Sequence, residues 1–144
     1  MDLKLKHQKA LQKIKQAQKI LLVCHERPDG DAVSSLCAMG ELMKNMEKNH
    51  VLFSVDQADC FFSYLPNFEK IKNDKSELIF ADFDLIILLD CGQISRSALM
   101  EEISKREENQ FIISFDHHPQ VEEFNGLEIK DTKAAATAEI IYDF

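Results

Sequence analysis

The stretch Ile20-Leu21-Leu22-Val23-Cys24-His25-Glu26-Arg27-Pro28-Asp29-Gly30-Asp31-Ala32 decides how the chain folds. Its first five residues are all apolar, the pattern of a strand buried on both faces rather than one with a wet side. Pro28 and Gly30 then interrupt the run, so 25–31 reads as a loop. From Ala32 to Lys48 the apolar residues Leu36, Met39, Met43 and Met46 fall on one helical face. A methionine stripe at that spacing is core rather than a cofactor box. Strand, tight loop and helix in succession form the opening unit of an α/β fold.

The same alternation extends to both ends. Before the strand, Leu3, His7, Ala10, Ile14 and Ala17 fall at helical spacing, with Lys4, Lys6, Lys9, Lys13, Lys15 and Lys19 as a solvated face. Beyond the second helix, Val51–Val55, Asp84–Leu89 and Phe111–Phe115 read as further strands, and Leu127–Ile129 as a short fifth. Asp56–Phe80 is less regular, with Phe61, Phe62, Tyr64, Leu65 and Phe68 expected in a short helix or apolar loop packed on the sheet. Ser95–Glu108 reads as a charged surface helix and Ala134–Tyr142 as a closing helix. The expectation is a single α/β domain over residues 1–144, a parallel sheet of about 4–5 strands with helices on both faces.

Acids outnumber bases by 25 to 17, for a formal charge of −8. That balance argues against tight, sequence-blind binding to duplex DNA, which needs a basic face. Divalent cations can invert the charge locally, so a nucleotide or a short strand is still allowed. The longest apolar runs, Ile20–Cys24 and Leu85–Leu89, fall far short of the ~20 residues of a membrane span. With no apolar segment of signal-peptide length at the N-terminus, a cytoplasmic location and no membrane partner are expected. Cys24, Cys37, Cys60 and Cys91 lack paired metal-site spacing and are expected to be reduced core residues.

The chemistry gathers where the strands end. His25, Asp29 and Asp31 follow the first strand, Asp90 the third, and Asp116, His117 and His118 the fourth. Open α/β sheets bind ligands in the crevice at the carboxyl edge. Carboxylates converging there repel one another and call for a cation. Imidazole mixed with carboxylate suits Mn, Fe, Co or Zn better than the all-oxygen sites of Ca or Mg. Asp29 and Asp31, either side of Gly30, can address two ions with Asp90 as a bridge, and bridged ions ~3.5–4 Å apart form a clamp for phosphoryl hydrolysis. The plainer alternatives are Asp31 as the cap of the helix starting at Ala32, and Asp116-His117-His118 as a polar loop.

At these residues the sequence resembles the DHH phosphoesterase family. The motifs are His25-Glu26-Arg27-Pro28-Asp29-Gly30-Asp31-Ala32, the strand-ending Leu88-Leu89-Asp90, Asp116-His117-His118, and the later helix Ala136-Thr137-Ala138-Glu139-Ile140-Ile141-Tyr142. Their order and spacing match from about Ile20 onward. The resemblance implies a hydrolase with two divalent ions, Mn2+ in the first instance and Mg2+, Co2+ or Zn2+ as alternatives. It implies His25, Asp29 and Asp90 on the first ion and Asp31, Asp90 and His117 on the second. It further implies His118 on the scissile phosphate and Asp116 orienting a histidine. The implied substrates are those of RecJ-like exonucleases and the short-oligonucleotide branch: nucleotides and short single-stranded oligonucleotides, with phosphoadenosine phosphate, cyclic dinucleotide products and pyrophosphate also within the family. Two departures stand out. Val33-Ser34-Ser35 replaces a Gly-containing stretch of many members. The family's fourth motif and C-terminal substrate-binding domain lie beyond Phe144, and neither Asp131 nor Asp143 stands in that motif. The chain is therefore expected to be a fragment or a minimal protein, with a homodimer or the absent domain completing it. The alternative function is a catalytically weak or silent metal- or nucleotide-binding module.

Overall fold

Ile20–Cys24 and Leu85–Leu89 are apolar at every position because both faces of the sheet they form are covered. The computed structural model describes residues 2–119 and 123–144. Among these, six strands form one sheet: β1 (Ile20–Cys24), β2 (His50–Phe53), β3 (Ile71–Lys72), β4 (Leu85–Leu89), β5 (Phe111–Asp116) and β6 (Leu127–Lys130). Their order is β3-β2-β1-β4-β5-β6, and every neighbouring pair is parallel. The helices are α1 (Leu3–Gln16), α2 (Gly30–Asn45), α3 (Met100–Ser104) and α4 (Thr137–Asp143).

Alternation along the strands sorts the core into two layers. Ile20, Leu22, Leu85, Ile87, Leu89, Ile113 and Phe115 face Ala10 and Ile14 of α1, Leu36, Met39 and Met43 of α2, and Ile140 and Ile141 of α4. Leu21, Val23, Ile86, Leu88 and Ile112 face Leu99 and Ile103 at α3. The methionine stripe of α2 is thus core. Among the described residues, no helix is long and apolar enough to cross a membrane.

Several boundaries differ from the sequence reading. The sheet has a sixth strand, β3, too short at two residues to leave a periodicity signal. Ser95–Glu108 is not one helix. It divides into a 3-10 turn at Ile94–Ser97, a left-handed residue at Ala98 (φ 60°) and the five-residue α3. The Ser97 hydroxyl donates to the Ile94 carbonyl at 2.6 Å and accepts from the Leu99 amide at 3.2 Å, local bonds that compete with helix continuation. The closing helix starts at Thr137, because 131–134 form a turn in which the Asp131 carboxylate accepts from the Lys133 amide. Cys24, Cys37 and Cys91 are buried, but Cys60 is exposed, on a 3-10 turn outside the sheet. Burial pushes the Cys24 thiol up to about 12 and the Cys37 thiol up to about 11, which favours the protonated form of both.

The strand order reverses between β1 and β4. From β1 the chain builds outward through β2 to β3; from β4 it builds the other way through β5 to β6. Such a switch point opens a crevice at the carboxyl edge, since the crossovers on its two sides leave in opposite directions.

Candidate metal centre

His25 and Asp90 emerge side by side at that crevice, because Cys24 of β1 is in register with Leu89 of β4. Leu89 is in turn in register with Phe115 of β5, which sets Asp116, His117 and His118 alongside. Asp90 holds a left-handed backbone (φ 59°), followed by Gly92 at φ 66°. Aspartate is among the few residues that tolerate this conformation, and the turn lets the Asp90 amide donate to the Phe115 carbonyl at 3.0 Å. Its carboxylate ends up almost wholly buried, 1% exposed.

Asp90 presents its two oxygens to two different groups. Oδ2 lies 3.8 Å from His25 Nε2, which is itself 3.7 Å from Asp29 Oδ1. Oδ1 lies 3.7 Å from His117 Nε2 and 3.6 Å from His118 Nδ1. His117 Nε2 is also 3.6 Å from Asp31 Oδ2. Within each of two sets, His25, Asp29 and Asp90, and Asp90, His117 and His118, one ligand atom per residue lies within 4.8 Å of the others.

The donor chemistry fits a cation. His25 Nδ1 is 2.6 Å from the Glu26 carbonyl, which can only accept, so Nδ1 carries a proton and Nε2 is the nitrogen turned toward two carboxylates, where it can offer a lone pair to a cation. His117 repeats the arrangement: Nδ1 donates to the Ala134 carbonyl at 3.3 Å and Nε2 faces Asp31 and Asp90. Separations of 3.6–3.8 Å are too long for hydrogen bonds. Electron-rich atoms held this way repel unless positive charge joins them, and an imidazole anchored through its other nitrogen is the usual state of a metal ligand. Burial pushes the Asp90 carboxyl up to about 6. The nearby carboxylates of Asp31 and Asp29 push the same way, against the Thr137 hydrogen bond and His118.

Asp29, rather than Asp31, caps α2: its Oδ1 accepts from the amides of Asp31 and Ala32, both at 3.1 Å. Helix α2 therefore starts two residues earlier than the sequence reading has it. Asp31 instead reaches across to α4, accepting from the amides of Thr137 at 2.8 Å and Ala138 at 2.9 Å. It ties two helices through residues more than 100 positions apart, and Oδ2 still faces His117. His118 donates from Nδ1 to Asp116 Oδ1 at 2.7 Å, and the same oxygen accepts the His118 amide at 3.0 Å. Asp116 is buried, with Lys130 Nζ 3.8 Å from its other oxygen.

Two residues at this site escape sequence reasoning. Thr137 donates its hydroxyl to Asp90 Oδ1 at 2.7 Å while completely buried. Lys130, at the end of β6, supplies a mostly buried cation behind Asp116. Nothing in the spacing of either residue marks it, since each acts through a strand or helix distant in sequence. Thr137→Val keeps the shape and removes the hydrogen bond to a buried carboxylate. Chemical denaturation of the metal-free variant should show about 1.5–3 kcal/mol lower stability; an unchanged midpoint would mean the bond contributes nothing.

The sequence model of the DHH family, N-terminal domain, matches residues 19–144. Over 124 residues the chain is 26% identical to the bifunctional oligoribonuclease and PAP phosphatase NrnA of Bacillus subtilis (strain 168), covering 86% of this chain and 37% of that protein. It spans between 35 and 40% of the length of the curated relatives it matches. Among solved structures, an exopolyphosphatase-related protein from Bacteroides fragilis superposes with a TM-score of 0.86 at 21% identity, over 97% of this chain and 42% of that one. RecJ from Thermus thermophilus, in complex with Mn2+, superposes with a TM-score of 0.61 at 14% identity, over 97% of this chain and 19% of that one. These likenesses establish a shared fold, and the family match covers the sheet, α2, α4 and every residue of the two Asp/His sets: the chain belongs to the DHH family and carries its N-terminal domain.

Proposed function

We propose that this chain is the metal-dependent catalytic core of a phosphoesterase acting on nucleotides or short single-stranded oligonucleotides through two divalent cations. The observation that carries the reading is Asp90, which turns one oxygen to His25 and Asp29 and the other to His117. His25, Asp29 and Asp90 would hold one ion, and Asp31, Asp90 and His117 the other. Manganese is the favoured metal, supported by the mixed imidazole and carboxylate donors and by the metal named with the RecJ structure. Bound there, divalent cations supply Lewis acidity to a phosphoryl group and to its attacking water.

The protein's own residues do the positioning. The Glu26 and Ala134 carbonyls fix the rings of His25 and His117. Thr137 holds Asp90 Oδ1 from behind. His118 is anchored through Nδ1 to Asp116, and it is this bonded Nδ1, not Nε2, that lies 3.6 Å from Asp90, so its Nε2 is assigned to the scissile phosphate rather than to a metal. The substrate class is supported by the chain's similarity to the bifunctional oligoribonuclease and PAP phosphatase relatives.

Manganese titration by calorimetry, with thermal unfolding and hydrolysis of a dinucleotide, tests the reading. At 100 times Kd a ligand specific to the folded state adds about 2.7 kcal/mol, so Tm should rise by roughly 10 °C, and the dinucleotide should be cleaved only with metal. An unchanged Tm would overturn the metal assignment. Metal binding without turnover of dinucleotide or PAP would leave a binding module in place of an enzyme.

A further inference from the structure

The segment after β2 runs along α2, starting at the metal-site end. Phe62, Leu65 and Phe68 pack against Val33 and Cys37 of α2 and against Ala58. The ring of Phe62 comes within 3.4 Å of where a Cβ on Gly30 would stand, and Gly30 adjoins Asp29. The Arg27 amide donates to Asp56 Oδ2 at 2.8 Å, and Asp59 caps the Cys60–Phe62 turn by accepting from the Phe61 amide at 2.8 Å. The segment is therefore pinned to the His25–Asp31 loop at one end and to α2 along its length.

On this anchored base stand two rings that bury little of themselves. Phe61 is 73% exposed and Tyr64 is 72% exposed. Phe61 packs edge to face on Phe62, centroids 5.6 Å apart, and on Tyr64 at 6.3 Å. The other large exposed apolar side chains lie on α1 (Leu3, Leu5), before β4 (Ile79), at α3 (Met100) and on α4 (Tyr142). Among the described residues, two exposed aromatic rings share a patch only here, and Phe62, on which Phe61 packs, lies against Gly30 beside the cluster residue Asp29.

We infer that Phe61 and Tyr64 form a stacking platform for a nucleobase of the single-stranded substrate whose phosphate lies at Asp29, Asp90 and His117. The inference rests on the phosphoesterase reading above. Charge favours this occupant. A net charge of −8 disfavours holding a strand by its backbone alone. Contacts to the bases add affinity to that of the metal-held phosphate, and aromatic rings supply them without reading sequence. On the His25–Asp31 loop the exposed Arg27 guanidinium lies 3.7 Å from Glu26 Oε1, a weak surface pair that a phosphate can replace.

The test is calorimetric binding, with manganese present, of a 5′-phosphorylated, phosphorothioate-linked dinucleotide and of its abasic analogue with the same charges. The full chain is compared with Phe61→Ala/Tyr64→Ala, with the ring-conserving Phe61→Tyr/Tyr64→Phe, and with Tyr142→Ala as a remote exposed-ring control. Wild type should bind the base-bearing ligand about 10-fold or more tighter than the abasic one. The double alanine variant should lose that preference and bind the abasic ligand as wild type does; the ring-conserving and remote variants should behave as wild type. A preference that survives in the double alanine variant, equal binding of both ligands by wild type, or loss of both ligands together in the double alanine variant each overturns the platform. Failure of wild type to bind either ligand with metal present counts against the phosphoesterase reading itself.

Discussion

In the Asp90→Asn variant, manganese binding at both groups should weaken by at least about 100-fold. Losing an outer partner of a metal ligand already costs 10–100-fold, and Asp90 faces each group through a different oxygen, as the proposed shared ligand. Turnover should fall by at least about 10²-fold, since displacement of the reacting groups by about 1 Å has that effect. The variant should nevertheless fold, and metal-free stability supplies the control. The folded-state value of Asp90 lies above its ordinary 3.8, at about 6, with burial the main cause. A raised value means that the folded chain binds the proton more tightly than the unfolded one. Stability is therefore lost as pH climbs from about 4 through 6, and the whole penalty is present at pH 8. Asparagine carries no charge and its carbonyl can still accept from Thr137. Metal-free Asp90→Asn should thus melt no lower than wild type at pH 8 by calorimetry with EDTA. Asp29→Asn, whose side-chain carbonyl still caps α2, should weaken only the ion beside His25. If Asp90→Asn holds as many ions as tightly as wild type, the shared-carboxylate assignment is wrong.

The part of the fold legible in the sequence is the part set by unbroken apolar runs. Ile20–Cys24 is found at the residues read, and Leu85–Leu89 within one residue, because strands buried on both faces admit no polar position. The chemistry at the strand ends was legible for a related reason: the residues that follow such a run must lie at the crevice edge, whatever the loops do. Elements held by few local signals were not legible. β3 exists only as a two-residue pairing with Leu52 and Phe53. The break at Ala98 depends on Ser97 bonding its own neighbours. The start of α2 turned on whether Asp29 or Asp31 caps it, and both have the right side chain; the choice is made by α4, whose first amides claim Asp31. Thr137 stands in the closing helix and in the motif 136–142 that resembles the DHH family, but neither gives its hydroxyl a role. Its hydroxyl matters because β4 and α4, 47 positions apart, meet at Asp90, and spacing along the chain carries no record of that contact.

His117→Ala and His118→Ala should separate metal holding from phosphate contact, although the two residues are adjacent and their rings lie 4.7 Å apart. Both are anchored through Nδ1, and the difference is in what each Nε2 faces. His117 Nδ1 is bound to a backbone carbonyl and Nε2 faces Asp31 and Asp90, so its removal takes away a donor and should lower manganese affinity by about 10–100-fold or more. His118 Nδ1 is bound to Asp116 at 2.7 Å, which leaves only Nε2 for a ligand, on a side chain still 37% exposed. Asp116 is fixed in its turn by the His118 amide and by Lys130 nearby, so the ring is held rigidly without a metal. A contact made to charge developing on phosphate is worth about 10²–10³ in kcat. His118→Ala should therefore lose that much in kcat while manganese affinity stays within a few-fold of wild type. Calorimetric titration of each variant, with kcat and KM on a dinucleotide, decides the matter. Equal losses of metal in the two variants would put His118 among the ligands, as the set Asp90, His117 and His118 allows on distance alone; the phosphate contact would then have to come from elsewhere on the rim.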